Sequence, residues 1–186
     1  MRKLSDAGLR VFAERGYHQS RVDDVVRAAR TSHGTFYLYF ANKEDLLRAL
    51  AVDCAQEMDE LAASIGPIDA TPDGYETLHE VLGRFLATYR RYGVVIRAWM
   101  EDQVRDPEVD RLGVAAFTHI AEALAASLPP APGEPADAAT AAALMALIER
   151  FSYVLASRDL GLDDDVALDT LTRLVHRGFF GAPLAA

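Results

Sequence analysis

The sequence predicts an all-α protein, with an N-terminal helix-turn-helix domain of three helices over residues 1–46 and a six-helix domain over residues 47–186. Apolar residues recur at the spacing of three and four that is typical of amphipathic helices, and no segment alternates as a strand does. Capping residues, glycines and prolines divide the chain into helix-sized segments. Three segments near the N-terminus are so short that they need one another's packing to be stable.

The first two predicted helices are short and end at clear signals. The first has a one-sided apolar stripe from Leu4 to Phe12 and stops at Gly16. The second covers residues 21–28, and Ser20 is its predicted N-cap because a serine at this position can accept a backbone N–H.

The third predicted helix, residues 32–40, has an apolar side and a polar side without a carboxylate. Phe36 and Phe40 are expected to face inward, with Leu38 beside them. The polar side consists of His33, Thr35, Tyr37 and Tyr39. A helix that enters the major groove needs such a surface, because its exposed face must avoid negative charge and its N-terminal side chains must reach base edges.

Two further residues extend this pattern. Gly34 has no side chain, so the backbone there could approach a phosphate or a thymine methyl group closely. Lys43 stands at the predicted start of the fourth helix, where free backbone N–H groups favour anions. Each of these residues alone is more often an ordinary surface or packing residue. Their combination behind a capped two-turn helix favours contact with nucleic acid.

The rest of the chain also divides into helices. Asn42 is the predicted cap of a long fourth helix, and a linker rich in turn formers follows over residues 65–74. The remaining predicted helices are 75–92 with Gly93 as a stop, one carrying Val95 to Val104, one from Asp106–Pro107 to about 128, and two closing helices over about 137–158 and 164–180. A loop with four prolines precedes the closing pair.

Charge is divided unevenly along the chain. The total is −9, but residues 1–50 hold nine Lys and Arg against six Asp and Glu, whereas residues 51–186 hold ten against 22. This division favours an anionic partner for the first segment alone. The single cysteine, Cys54, excludes a disulfide framework. The longest uncharged apolar stretch, about 138–148, is shorter than a membrane span, so we expect a cytoplasmic protein with no membrane partner.

Residues 7–47 resemble the DNA-binding domain of the TetR family of bacterial transcriptional regulators. The segments that carry the resemblance are 12–17 (FAERGY), 25–29 (VVRAA), 32–40 (SHGTFYLYF) and 42–47 (NKEDLL). The resemblance implies a homodimeric repressor with an effector-binding and dimerisation domain after residue 46. The positions that it implies as contacts to a double-stranded DNA operator are Ser20, Arg21, Ser32, His33, Gly34, Thr35, Tyr37, Tyr39 and Lys43.

The chain departs from the family pattern at two places. Arg30 stands where the family usually has glycine, and a positive φ at arginine would cost about 1 kcal/mol or more. Either the turn differs or Arg30 reaches a phosphate, so Arg30 is also a DNA-binding candidate. Only Arg2 and Lys3 lie ahead of Leu4, so the chain either lacks minor-groove arm contacts or begins further upstream.

The two closing helices have broad apolar faces that pack either within the chain or against a second copy. The resemblance implies the second arrangement, a four-helix dimer interface. The candidate interface residues are Leu144, Leu147, Ile148, Phe151, Leu155, Leu168, Leu171, Leu174, Val175 and Phe179.

The middle helices carry an aromatic and apolar set that forms either a core or the wall of an effector cavity. The resemblance favours a cavity for a small, mostly apolar effector, with His119 or Arg97 as polar anchors. The candidate cavity residues are Phe85, Tyr89, Tyr92, Ile96, Trp99, Met100, Phe117, Ile120 and Phe151.

The sequence has no Gly-rich phosphate loop, zinc-protease motif or nucleophile elbow. We therefore expect no catalytic residue, no metal and no cofactor. The leading interpretation is a repressor that binds a palindromic operator as a dimer and is released by an effector. Two alternatives stay open: a DNA-binding protein without an effector, and an all-α enzyme or carrier that uses the aromatic cavity.

Overall fold

A computed structural model describes residues 1–100, 106–128, 138–157 and 161–181, and at residues 98–100 and 138 it describes the backbone alone. All regular structure in these residues is helical, which confirms the predicted all-α class. The helices are α1 (Arg2–Arg15), α2 (Val22–Ala28), α3 (His33–Tyr39), α4 (Lys43–Ala63), α5 (Pro72–Met100), α6 (Pro107–Ala125), α7 (Ala138–Ser157) and α8 (Asp164–Val175). A π-helical turn, His176–Phe180, continues α8.

Three of the predicted helix starts are confirmed by side-chain caps. Ser32 Oγ accepts a hydrogen bond from the Thr35 N–H at 3.1 Å, and Asn42 Oδ1 accepts one from the Asp45 N–H at 2.8 Å. Asp163 caps α8 by accepting from the two N–H groups that follow Asp164. These bonds satisfy backbone donors that the first turn of a helix leaves free.

The predicted N-cap of α2 is wrong by one residue. Arg21 is the N-cap, and the Asp24 carboxylate accepts the Arg21 N–H at 3.1 Å. Ser20 is instead buried, with 3% of its surface exposed. Its hydroxyl donates to the carbonyl oxygen of Gly16 at 2.7 Å, so it closes the turn after α1.

Gly93 does not end a helix, which corrects the prediction of two helices there. The helix α5 runs without a break from Pro72 to Met100. Glycine in a helix costs about 1 kcal/mol relative to alanine, but the residues that follow it, Val94, Val95 and Ile96, are buried. Burial of these apolar side chains outweighs the local preference of one glycine. The predicted proline loop and Val104 lie outside the described residues.

The chain forms two compact units. Unit 1 consists of Met1–Gln56 and Arg91–Ala115, and unit 2 of Glu57–Arg90 and Ala116–Ala186. In unit 1, α1 packs on α2 and α2 on α3. Fully buried residues of this core include Phe12, Val25, Phe36 and Leu46. The expected domain boundary after residue 46 stays a prediction.

The helix α7 is unusually apolar and little buried. Its residues 139–157 are long and apolar enough to cross a membrane by length and composition, yet only 28% of this stretch is buried within the chain. On its inner side, Glu149 accepts a hydrogen bond from the Tyr89 hydroxyl at 2.9 Å, and both side chains are buried in unit 2. The helix thus has one side in the core of unit 2 and one apolar side that the other described residues leave exposed.

Candidate nucleic-acid interface

The turn between α2 and α3 is tight and left-handed at Arg30. The Thr31 N–H donates to the Val26 carbonyl at 3.1 Å, and the Arg30 N–H donates to the Arg27 carbonyl at 3.2 Å. These two bonds form a Schellman motif, whose penultimate residue takes a positive φ that glycine adopts most easily. Arg30 has a φ of 52°. The turn therefore keeps the glycine-like conformation although the residue is arginine.

The rotation of α3 is fixed by its buried aromatic side. Phe36 is fully buried and Phe40 has 3% of its surface exposed, with ring centroids 5.6 Å apart. This confirms the predicted inward side. Leu38, expected beside these two rings, is 75% exposed, so that expectation is wrong. Two residues beyond Phe36, a helical side chain points about 200° away from it, and no other described element covers that side.

The opposite side of α3 faces outward and has no carboxylate of its own. His33 and Gly34 are exposed and Thr35 is half-buried, while Tyr37 and Tyr39 are 55% and 47% exposed. A run of exposed aromatic and apolar residues on a short helix is typical of a binding surface. The predicted readout residues are thus exposed or half-buried, and they lie around the part of the helix that Phe36 and Phe40 do not occupy.

Gly34 is not required by the packing of the chain. A Cβ atom placed there would have only Ser32 Oγ within reach, at 3.7 Å, which is an ordinary contact. Its φ does not lie in the left-handed region. Since neither space nor backbone conformation demands glycine, the open surface at Gly34 is free for close approach by another molecule.

A carboxylate from α2 lies at the edge of this surface, which the sequence pattern did not predict. Asp23 Oδ1 is 2.6 Å from His33 Nε2, and both side chains are exposed. The hydrogen bond from His33 lowers the pKa of Asp23. The only signal in the sequence is that both residues stand near the start of a short helix, and helix spacing does not predict contacts between helices.

Ser20 and Lys43 point toward the protein backbone. Lys43 Nζ donates to the carbonyl oxygens of Tyr17 at 2.9 Å and Ser20 at 3.2 Å, and it lies 4.3 Å from the centre of the Tyr17 ring. The charge of Lys43 therefore stabilises the turn after α1. Arg21 is exposed at the start of α2.

The predicted cavity residues fall in both units. Phe85, Tyr89, Phe117, Ile120 and Phe151 belong to unit 2, whereas Tyr92 and Ile96 belong to unit 1. In unit 2, the rings of Phe85 and Phe117 meet edge to face at 6.4 Å. The side chains of Trp99 and Met100 lie outside the described residues. His119, one of the proposed anchors, is exposed and pairs with Asp59 on α4 at 2.7 Å.

Two buried polar groups of α7 were missed by the sequence analysis. Glu149 is bonded to Tyr89 as described above, and one turn further along, Ser152 is fully buried. Among the described residues nothing hydrogen-bonds to Ser152 Oγ. A buried hydroxyl without a partner is rare, and it often marks a place where water or a ligand binds.

The predicted interface residues of α7 and α8 divide into a buried and an exposed set. Four are part of the core of unit 2: Leu144, Ile148, Leu171 and Val175. The others are exposed or half-exposed: Leu147 (36%) and Leu174 (56%), with Phe151, Leu155, Leu168 and Phe179 between the two extremes. The exposed set is the part that a second chain could reach.

Comparison with known proteins matches the N-terminal segment to a family. Residues 4–50 match the family model described as bacterial regulatory proteins, tetR family. A fatty acid metabolism regulator protein from Bacillus subtilis is 50% identical over 48 residues, which is 26% of this chain and 25% of that protein. The chain spans a quarter to a half of the length of three curated relatives that it matches.

Solved structures match nearly the whole chain. The transcriptional regulator FadR from Bacillus subtilis, in complex with stearoyl-CoA, has a TM-score of 0.69 and 21% identity, covering 94% of this chain and 96% of that one. A transcriptional regulator from Saccharomonospora viridis, in complex with choline, has a TM-score of 0.73 and 22% identity, covering 97% of both chains. These likenesses establish the fold. The match over residues 4–50 shows that this N-terminal segment is similar to bacterial regulatory proteins of the tetR family.

Proposed function

We propose that the protein is a transcriptional regulator, a repressor that binds a palindromic DNA operator as a homodimer and is released by a small effector. The observation that carries the proposal is the outward side of α3. It presents His33, Thr35, Tyr37 and Tyr39 around an unobstructed Gly34, and Phe36 anchors it from behind. Hydroxyl and imidazole groups can read base edges and bind phosphates in the major groove.

Within this surface we assign different tasks to different residues. His33, Gly34 and Thr35 lie at the N-terminal end of α3 and read bases, while Tyr37 and Tyr39 bind phosphates. Arg21 and Ser32 contribute at the flanking helix starts. Ser20 and Lys43 act indirectly, because their polar atoms are bonded to the backbone of the turn after α1.

Dimerisation is supported by the uncovered side of α7 and α8. Leu147, Leu174 and the half-exposed residues near them form an apolar surface that the described residues of one chain leave in water. A second copy would cover it and form a four-helix interface. Two recognition helices about 34–36 Å apart would then meet successive major grooves, which is how dimers read palindromes.

Effector binding is supported by the polar groups inside unit 2. The aromatic set around Phe85 and Phe117 would contact an apolar body. Tyr89, Glu149 and the unpartnered Ser152 hydroxyl would bind one polar group of the same molecule. The ligands of the two solved relatives, stearoyl-CoA and choline, both combine apolar and polar parts, and they are the first compounds to test. The effector would favour a conformation that does not bind DNA.

A gel-shift assay on the DNA that flanks the protein's own gene tests the proposal. We expect retardation at low salt and an affinity that falls steeply as salt rises, because phosphate contacts release counterions. Thermal shift in the presence of acyl-CoA, choline and apolar metabolites tests the effector, since a bound ligand raises the melting temperature. Lack of retardation would refute DNA binding. Retardation without any ligand effect would favour a DNA-binding protein that has no effector.

A further inference from the structure

Unit 1 has a cavity of about 400 Å³ beside α3, and the assignments above give no role to the start of α1, which lines it. Three segments meet there: the start of α1, the turn between α2 and α3, and the outward side of α3. The lining residues that matter are Arg2, Lys3, Arg30, Thr31, Thr35 and Tyr39. The cavity is open to solvent, because Arg2, Lys3 and Arg30 are all exposed.

The lining of this cavity is positively charged. It holds three cationic side chains and no Asp or Glu. Within the described residues, no carboxylate pairs with Arg2, Lys3 or Arg30. Other arginines of unit 1 do have acidic partners, as in the pairs Arg15–Asp24 and Arg48–Asp106. Three unneutralised cations around one concave surface, with threonine and tyrosine hydroxyls between them, suit a phosphate group.

The backbone at Arg30 provides an independent reason to expect a ligand. Its φ of 52° is one that glycine adopts without strain and arginine does not. The backbone bonds of the Schellman motif stabilise the turn with any residue at this position, and among the described residues no carboxylate pairs with the Arg30 guanidinium. The cation is therefore retained against the local backbone preference, which is typical of a residue that serves binding.

We propose that this cavity, the phosphate cradle, holds a backbone phosphate of the DNA beside the major groove that α3 enters. Arg2, Lys3 and Arg30 supply the charge, and the hydroxyls of Thr31 and Tyr39 donate hydrogen bonds to the phosphate oxygens. The cradle rests on the proposed DNA-binding function and adds the start of α1 to the interface. It anchors the protein without reading sequence, so it raises affinity for all duplexes alike.

The test measures DNA affinity against salt concentration by fluorescence anisotropy. The variants are Arg30→Gly and Lys3→Gln, and Arg10→Gln is the control because Arg10 is an exposed cation of α1 outside the cavity. Each cradle variant should bind operator and random duplex more weakly by a similar factor. The salt slope should fall by about one per phosphate contact, or about two for a dimer with two cradles. Arg10→Gln should keep the wild-type slope.

Arg30→Gly also separates binding from folding. The substitution removes the backbone strain of an arginine with a positive φ. The melting temperature of the variant should therefore equal or exceed that of the wild type, while its DNA affinity falls. If the wild type binds DNA but both variants keep its affinity and its salt slope, the cradle proposal is wrong and the proposed function stands. If inorganic phosphate stabilises the wild type and the variants bind DNA normally, the cavity is a free-anion site and the proposal is overturned. If the wild type fails to bind DNA at all, both proposals fall.

Discussion

His33 Nε2 lies 2.6 Å from Asp23 Oδ1, so a carboxylate on α2 holds the first helical residue of α3. The two side chains are 56% and 65% exposed, and no other described group shields them from a molecule that approaches α3. This pair places a negative charge beside a surface that we propose to bind a polyanion. It also restricts the ring orientation of a residue that we propose to read bases.

Asp23→Asn should therefore separate affinity from specificity. Loss of the carboxylate removes repulsion of phosphates, so binding to a random duplex should tighten several-fold at low salt. His33 loses the partner that orients it, so the ratio of operator to random affinity should fall. Fluorescence anisotropy with both duplexes measures the two effects. Glu14→Gln, at an exposed residue of α1, is the control, and an unchanged random-duplex affinity in Asp23→Asn would contradict the prediction.

Gly34→Ala should stabilise the protein and weaken its binding to DNA. The added methyl group has no close neighbour in the chain, and alanine is favoured over glycine in a helix by about 0.5–1 kcal/mol. The same methyl group would lie between α3 and the DNA, so operator affinity should fall by about tenfold or more. Gly178→Ala, also without neighbours within 4 Å, should leave DNA affinity unchanged. Thermal melting and anisotropy together decide the outcome, and undiminished operator affinity in Gly34→Ala would show that DNA does not approach this residue.

Leu174→Glu should convert the protein to a monomer at micromolar concentration. A carboxylate buried in an apolar interface is costly, because it has no charge partner there. Operator affinity should fall by about 100-fold or more, because the second half-site is no longer tethered. Analytical ultracentrifugation measures the mass. Val52→Glu, which alters a 47% exposed residue of α4, should stay dimeric, and a dimeric Leu174→Glu protein would exclude this surface as the interface.

His119 should titrate above its usual pKa of 6.5, because its ring N–H donates a hydrogen bond to the Asp59 carboxylate, which favours the charged imidazolium. The pair then stabilises the fold fully below the pKa of the unfolded chain, and this contribution is lost as pH rises through the raised folded value. Asp59→Asn should shift the midpoint back down. NMR of the His119 ring protons measures both midpoints, and identical midpoints in the two proteins would show that the pair does not form in solution.

The sequence predicted local features well because they depend on neighbouring residues. Asn42 caps α4 as expected, since a cap needs only a side-chain oxygen near the next turn. Phe36 and Phe40 face inward because residues four apart share a side of a helix.

Features that depend on contacts between segments could not be predicted in this way. The bond between Asp23 and His33 joins two helices, and the bonds of Lys43 reach back to carbonyls more than 20 residues earlier. Gly93 was misjudged because burial of the neighbouring valines outweighs the helix preference of one glycine. In the candidate interface, the sequence predicts which side chains α3 presents. It does not predict that His33 is hydrogen-bonded to Asp23 or that Lys43 is hydrogen-bonded to backbone carbonyls.

Photo-crosslinking from position 37 tests most directly whether the outward side of α3 lies against DNA. The residue Tyr37 is 55% exposed, so a benzoylphenylalanine can replace it without disturbing the core, and the same replacement at Leu162, 53% exposed in unit 2, is the control. We predict a covalent adduct with operator duplex from position 37 and none from position 162. Equal crosslinking from the two positions, or none from position 37 under conditions where the complex forms, would contradict the proposed interface.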